Sequence, residues 1–444
     1  MNGQPMIQIT KTTRINKMIT LSTDQQNAAD KFIEFILDDD LHEMALQGHA
    51  GTGKTFMTKY MVDLVSSANE LSDLLHTPPF KEIYLTATTN KAVEVLGRLA
   101  KSSEVSTIHS LLKLKVKNNY KTGGQTLVQH KSFRPLQNCL VVVDEASMVD
   151  KQLRKMIQQS CANCKVLYIL DPYQLAPVGM HTCPVADQVK NKAVLKHIFR
   201  QKGGNTSPIA EFAEKYRKVQ DGAPFPKIEE AGNEIIRVDG PAFQAMVEKE
   251  FDSIDHDTDK AKILTWTNAS VKQYNDFIRS LHTDSDKPEI GEYMITNKPI
   301  ISPKRIHDVK TDGKVQIKDI SANIIPVKGI DCWIVDIGLG YEVPLPTDQN
   351  KLSAALKKLA ARSRKSGNWM EYFELQETFV DLRPAYASTV HKSQGSTHDI
   401  VFINLNDIGN NPTGTEVARL MYVAITRAVN QVILYGRLGT RYGD

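Results

Sequence analysis

The 444 residues are enough for about two to four domains, and a composition of 41% hydrophobic and 24% charged residues is ordinary for a soluble globular protein. The formal net charge of +4 is too small for a global field, so a nucleic-acid partner would have to be met by local patches. No apolar run approaches the roughly 18 residues of a membrane span, and the polar first 18 residues, with Lys11, Arg14 and Lys17, lack the apolar segment of a secretory signal. A cytoplasmic protein with no membrane partner and a loose tail over residues 1–20 is expected.

Residues 23–37 place Ala28, Phe32, Phe35 and Ile36 on one face of a helix, with Ser22 or Thr23 available as its cap. A short apolar run follows from Met44 and stops at Gly48. Gly48, His49, Ala50, Gly51, Thr52, Gly53, Lys54 and Thr55 then form the complete G-x-x-x-x-G-K-[ST] spacing of a phosphate-binding loop. Glycines let consecutive N–H groups turn inward onto a polyphosphate, Lys54 reaches the β- and γ-phosphates, and the Thr55 hydroxyl suits Mg²⁺. An apolar helix over 58–65 would direct its positive end at the same anion. The cofactors expected are therefore ATP and Mg²⁺.

Residues 83–87 read as a second strand and 92–99 as a helix. Between 110 and 135 this rhythm breaks. Lys113, Lys115 and Lys117 alternate with apolar residues, and Gly123-Gly124 turns the chain back, which predicts an inserted β-hairpin. Residues 140–143 are an unbroken apolar, mostly β-branched run, as a buried parallel strand requires. Asp144 and Glu145 follow at its carboxyl end, where such sheets bind ligands. Two acids there also suit a helix cap. Paired with the phosphate loop, they read as a Mg²⁺ ligand (Asp144) and a residue that positions and deprotonates water (Glu145). Residues 166–170 form another strand.

Five cysteines without a disulfide-like framework fit a reducing compartment. Cys161 and Cys164, with His181 and Cys183 downstream, could supply four zinc ligands. Their spacing is not that of a usual second knuckle, and buried thiols are the preferred reading. The α/β rhythm stops over 203–240, where the chain is polar and contains Pro and Gly. It resumes with a strand at 262–267 and a helix at 270–281. Residues 288–346 are short β-type runs split by Gly and Pro, which predicts a small β-barrel. Residues 351–365 form a basic amphipathic helix, as compatible with a solvated face as with a nucleic-acid contact. Strand 400–405, helix 416–425 and strand 432–436 restore the α/β pattern, so a second α/β domain is split by the β-rich insertion.

The run Asp144-Glu145-Ala146-Ser147-Met148 looks like motif II of the superfamily 1B (RecD-like) DNA helicases, and the chain from about Leu21 to Gly436 resembles those of the phage Dda type in motif order and spacing. The resemblance implies an α/β fold with two RecA-like P-loop NTPase domains. The first would span residues 21–192 with a pin hairpin at 110–135; the second would span 193–284 and 380–444. An SH3-like and tower insertion would occupy 285–379.

By the same resemblance, Gln25 reads adenine, Gln174 senses the γ-phosphate, and Gln394 and Gly395 bridge to the nucleotide. Arg200 and Arg427 approach the γ-phosphate from the second domain, Arg427 as an arginine finger. The resemblance also gives nucleic-acid contacts to Thr89 and Asn90, to Thr107 and His109, to Thr267 and Asn268, and to Thr389, His391 and Lys392. Thr88 stands where the family usually has proline, and Leu170 and Ala176 also depart from its pattern. The implied activity is ATP-dependent, 5′-to-3′ translocation on single-stranded DNA with unwinding of forked duplex, in phage-type replication or recombination within a host cytoplasm. The protein would act as a monomer, alongside a single-strand-binding protein or other replication proteins. Two alternatives stay open: an RNA-directed helicase, and a nucleotide-dependent single-strand binding or annealing factor.

Overall fold

The computed structural model describes residues 20–70, 80, 82–99, 104–161, 163–177, 180, 182–199, 207–253, 260–300 and 309–443. Its first half is built on strands that carry apolar side chains on both faces. They are β1 (Glu43–Gly48), β2 (Glu82–Ala87), β3 (Glu104–Thr107), β6 (Gln137–Asp144), β7 (Asn163–Leu170) and β8 (Lys192–Leu195), with β4 (Leu114–Asn118) and β5 (Gln125–Gln129) forming a separate hairpin. The sheet order is β3-β2-β6-β7-β1-β8 and every pairing is parallel. Val141, Val142 and Val143 are wholly buried. Burial of such a side chain contributes about 1.5–3 kcal/mol. Two apolar clusters, one on each face, sandwich this sheet.

The helix Thr23–Leu37 forms over the expected span, and Ser22 caps it in a reciprocal capping box with Gln25. The helix after the phosphate loop, Lys54–Glu70, begins inside the loop itself, four residues before the expected start. Residues 108–111 are a short helix rather than the start of a hairpin strand, and Lys113 adopts a left-handed φ of 49° before β4.

The second sheet is also all parallel, with order β18-β10-β19-β20-β9. Its strands are β9 (Ile235–Val238), β10 (Ala261–Thr265), β18 (Ala387–Thr389), β19 (His398–Asn404) and β20 (Ala428–Tyr435). Here the reading of 203–240 as an interruption is corrected. The helix Pro208–Gln220 buries Ile209, Phe212, Ala213, Tyr216 and Val219 against the helix Gly414–Thr426, and β9 supplies the sheet edge. Its stripe is apolar at helical spacing, but charged residues fill the positions between.

Between β10 and β18 lie two small antiparallel sheets. One is β12 (Lys314–Gln316), β11 (Tyr293–Thr296) and β17 (Leu382–Pro384). The other joins β13 (Asp319–Ile320), β14 (Ile325–Val327) and β16 (Glu342–Pro346) to β15 (Ile330–Asp336). They share one apolar core, including Met294, Val315, Ile317, Val335 and Val343. The helix Gln349–Ser366 packs its stripe of Leu352, Leu356 and Leu359 against this insertion and leaves Lys357, Lys358, Arg364 and Lys365 exposed. Among the described residues no helix is long and apolar enough to cross a membrane.

The hairpin β4–β5 does not end in solvent. At its tip the Tyr120 carbonyl accepts from the Trp369 N–H at 2.8 Å, and the Tyr120 ring meets Phe373 edge-on at 5.5 Å. Asn118 Nδ2 donates to Glu377 at 2.8 Å. Gly123 has a φ of +74°, and a Cβ there would lie 2.3 Å from the Trp369 ring. A side chain at 123 therefore has no room unless the tip moves. Gly123→Ala is expected to lift the tip off the insertion and to open the hairpin to trypsin at Lys121. An unchanged cleavage rate would show that the contact does not hold the tip.

Candidate functional site: a cleft between two parallel sheets

In a parallel sheet all carboxyl ends share one edge, so residues distant in sequence converge there. On the first sheet that edge carries, in spatial order, Thr107 after β3, Thr89 and Asn90 after β2, Asp144 and Glu145 after β6, Asp171 after β7, and the phosphate loop after β1. The nucleotide candidates thus fall on one side of the edge and the nucleic-acid candidates on the other. The second sheet faces it with Gln394 and Gly395 after β18 and with Arg427 at the end of the helix Gly414–Thr426. The cavity between them, about 390 Å³, is lined by Lys54, Thr55, Asp144, Glu145 and Gln174 from one side and Gly395 and Arg427 from the other.

Gly51 and Gly53 have φ of +82° and +81°, the left-handed conformation that glycine adopts without steric cost. A Cβ on Gly48 would meet Thr52 Oγ1 at 2.5 Å. Thr52 Oγ1 donates to the His49 carbonyl at 2.9 Å, and Lys54 Nζ donates to the carbonyls of Gly48 and His49 at 2.8 and 3.0 Å. The Gln25 side-chain oxygen accepts from the Ser22 N–H at 3.0 Å, which leaves its Nε2 beside Gly53. A second cavity of about 510 Å³, lined by residues 20–24 with Lys196, His197 and Phe199, opens next to it.

Asp144 is half-buried at the end of β6, and its carboxyl is pushed up by burial and then by the Glu145 charge. Such a carboxylate gains most from a cation. Glu145 is one of the few non-glycine residues in the left-handed region, at φ 51° and ψ 39°. That conformation costs about 1–2 kcal/mol. Thr88 stabilises it: its N–H donates to the Asp144 carbonyl at 3.2 Å and its hydroxyl to the Glu145 carbonyl at 2.9 Å. The expected proline at 88 could donate neither bond, so the departure from the family pattern has a local reason. Gly395, at φ +77°, comes so close that a Cβ would lie 3.8 Å from Glu145 Oε1.

Gln174 is buried, and its oxygen accepts from Gln394 Nε2 at 3.4 Å across the cleft. Gln394 Oε1 is buried without a partner among the described residues. Arg427 is only 3% exposed. Nε donates to the Val423 carbonyl at 3.2 Å, Nη1 to the Ser396 carbonyl at 3.0 Å and Nη2 to Thr426 Oγ1 at 3.2 Å. Burial lowers its pKa, and the Glu145 charge opposes that shift. The glycine loop, the half-buried Asp144, the Gln394 oxygen unpaired among the described residues, and Lys54, Gln174 and Arg427 fit a Mg²⁺-bound triphosphate.

The nucleic-acid candidates have mixed surroundings. Thr107, Thr267 and Thr389 use their hydroxyls as local caps, accepting from Ser110, Ser270 and Lys392 N–H groups. Thr267 also donates to Asp407, and Asn268 opens the helix Asn268–Ser280. Thr89 accepts from the Ala92 N–H. Asn90 Nδ2 donates to the Thr311 carbonyl at 3.1 Å, and Lys392 Nζ reaches Asn297 and Asp312 at 2.7 and 3.1 Å, so both tie to the β insertion. Burial lowers the pKa of His109 and of His391.

Arg200 lies outside the described residues, as does His181. Of the zinc candidates without His181, Cys164 Sγ accepts from Cys139 Sγ at 3.0 Å, Cys183 donates to the Ala146 carbonyl, and no metal-holding group is found among the described residues. Two site residues carried no role in the sequence. Phe199 donates its N–H to the Gly51 carbonyl at 2.7 Å and faces Gly53; Tyr422 reaches the phosphate loop from the second domain. Both lie inside recognisable motifs, but nothing local marks them as contacts.

This geometry defines a P-loop nucleotide-binding protein whose site is shared by two parallel-sheet domains. Residues 37–180 match the AAA domain family, and residues 384–435 match the UvrD-like helicase C-terminal domain family. The ATP-dependent DNA helicase dda of Enterobacteria phage T4 is 24% identical, over 91% of this chain and 97% of its own length. An uncharacterised protein of Acanthamoeba polyphaga mimivirus is 24% identical over 92% of this chain and 98% of its own. A Bacteroides Pif1 helicase structure with ADP-AlF3 and single-stranded DNA aligns at 17% identity and a TM-score of 0.49, covering 96% and 94% of the two chains. Over nearly its whole length the chain is thus similar to a phage DNA helicase of the Dda kind.

Proposed function

We propose that the protein is an ATP-dependent DNA helicase that steps 5′ to 3′ along single-stranded DNA and parts forked duplex ahead of it. The observation that carries this reading is the cleft itself. Arg427, held by second-domain carbonyls, lines the same cavity as Lys54 and Glu145 of the first domain. A site completed by two domains links its chemistry to their separation.

The bound nucleotide supplies a terminal phosphoryl group for transfer to water, with Mg²⁺ held through Thr55 and Asp144. Lys54 and the loop amides neutralise phosphate charge. Glu145 orients the attacking water and takes its proton. Gln174 and Gln394 respond to the terminal phosphate as a pair, and Gln25 with the adjoining cavity holds the base. Arg427 stabilises charge on the transferring group, with Arg200 proposed beside it. The domains are residues 21–192 and the split 193–284 with 380–444, both RecA-like, and 285–379 is the SH3-like and tower insertion. The contacts at Thr89, Asn90, Thr107, His109, Thr267, Asn268, Thr389, His391 and Lys392 hold the strand. The docked hairpin β4–β5 is the separating pin. Parting one base-pair step costs about 1.4 kcal/mol of stacking on average, within the reach of one nucleotide cycle.

The test is unwinding of duplexes bearing either a 5′ or a 3′ single-stranded tail. Unwinding from 5′ tails alone is expected. Unwinding only from 3′ tails would reverse the polarity, and ATP hydrolysis that single strands do not stimulate would leave a nucleotide-dependent binding factor.

A further inference from the structure

Resting on the helicase reading for its catalytic setting, we propose that Tyr422 is a positioning residue that fastens the Arg427 helix to the phosphate loop. Its ring is 2% exposed, on the helix Gly414–Thr426 of the second domain. Its hydroxyl donates to Asp171 Oδ2 at 2.7 Å and accepts from the Ala50 N–H at 3.2 Å, both in the first domain. One phenol thereby joins three chain segments: the phosphate loop, the turn after β7, and the helix that ends in Arg427.

Each end of this junction leads to a group in the cleft. Val423, the next residue, presents the carbonyl that holds Arg427 Nε. The Asp171 carbonyl accepts from the Gln174 N–H at 3.2 Å, and Gln174 meets Gln394 across the cleft. The Ala50 amide is directed at the phenol, so Tyr422 fixes the first turn of the loop.

The chemistry favours a durable tie. Asp171 is 1% exposed, and its other oxygen accepts from the Tyr173 N–H at 3.0 Å. A hydrogen bond from a phenol to an enclosed carboxylate is charge-assisted and roughly twice as strong as a neutral one. Burial and the Asp171 charge raise the Tyr422 pKa well above 10, so the hydroxyl remains a donor throughout the physiological range. A phenylalanine would fill the same site; the tyrosine hydroxyl is what accepts from one segment and donates to another.

Tyr422→Phe keeps the ring and removes both bonds. Two measurements on the full chain are expected to move together. The kcat for ATP hydrolysis falls about tenfold, equivalent to 1.36 kcal/mol, while KM for ATP stays near the parent value. Hydrogen–deuterium exchange of the 48–53 segment speeds up, while exchange in the sheet strands β6 and β19 stays near the parent rate. Asp171→Asn, which keeps the acceptor, is expected to lie between parent and Tyr422→Phe in both. A parent-like exchange rate in Tyr422→Phe overturns the tie, and so does a change confined to KM. If the parent shows no DNA-stimulated hydrolysis, the helicase reading fails, while the exchange comparison still decides the role of Tyr422.

Discussion

Replacing Lys54 with alanine is expected to lower ATP turnover by about 10²- to 10³-fold, the range seen when one preorganised donor is removed from a developing charge. The structure explains why the loss should be chemical rather than structural. Lys54 opens the helix Lys54–Glu70, a position alanine fills without strain. The loop around it is set by other means: Gly51 and Gly53 in left-handed conformations, Thr52 Oγ1 on the His49 carbonyl, and the Phe199 N–H on the Gly51 carbonyl. The variant's losses include the hydrogen bonds to the Gly48 and His49 carbonyls, each worth about 1 kcal/mol net. In the loaded protein Nζ would exchange those carbonyls for phosphate oxygens. The check is phosphate release at saturating single-stranded DNA, beside a thermal melt. Turnover within tenfold of the parent would remove Lys54 from the chemistry. A large fall in melting temperature would instead assign it to the fold.

The first domain's site was legible because its signals are local. A phosphate loop is a contiguous spacing, and Asp144-Glu145 follows an uninterrupted apolar strand. The second domain was less so. The helix Pro208–Gln220 is apolar at helical spacing, yet Glu211, Glu214, Lys215 and Arg217 share the run and mask the stripe. The edge strands β3 and β8 are four residues each, too short for periodicity to register. The left-handed backbone of Glu145 leaves no mark in composition either. It arises because Thr88, one strand away, donates to its carbonyl. Contacts that cross the cleft are the hardest to read: Ala50 and Tyr422 are 372 positions apart. Motifs give the components of such a site, and pairing across domains gives their arrangement.

Arg427 makes the strongest demand on that arrangement, and Arg427→Ala is expected to reduce kcat about 10³-fold with nucleotide affinity little changed. The guanidinium is enclosed, which is unfavourable for a charge unless its donors are satisfied. Val423, Ser396 and Thr426 satisfy them, and all three belong to the second domain. The group is therefore prepaid in orientation: it needs no reorganisation to meet charge developing near Glu145, and that separates transition-state stabilisation from ground-state binding. Removing it also leaves the Glu145 carboxylate without its facing cation, so a modest fall in melting temperature is expected as well. Arg427→Lys separates these two effects. Lysine restores a positive charge but not the planar fork that occupies three acceptors at once. It should recover stability more than turnover. The decisive comparison is single-turnover phosphate release against binding of a nonhydrolysable ATP analogue, in the parent and both variants. Equal losses in binding and turnover would make Arg427 a ground-state contact. Near-parent turnover in the alanine variant would remove it from the reaction and leave Gln394 as the second domain's described contribution to the cleft.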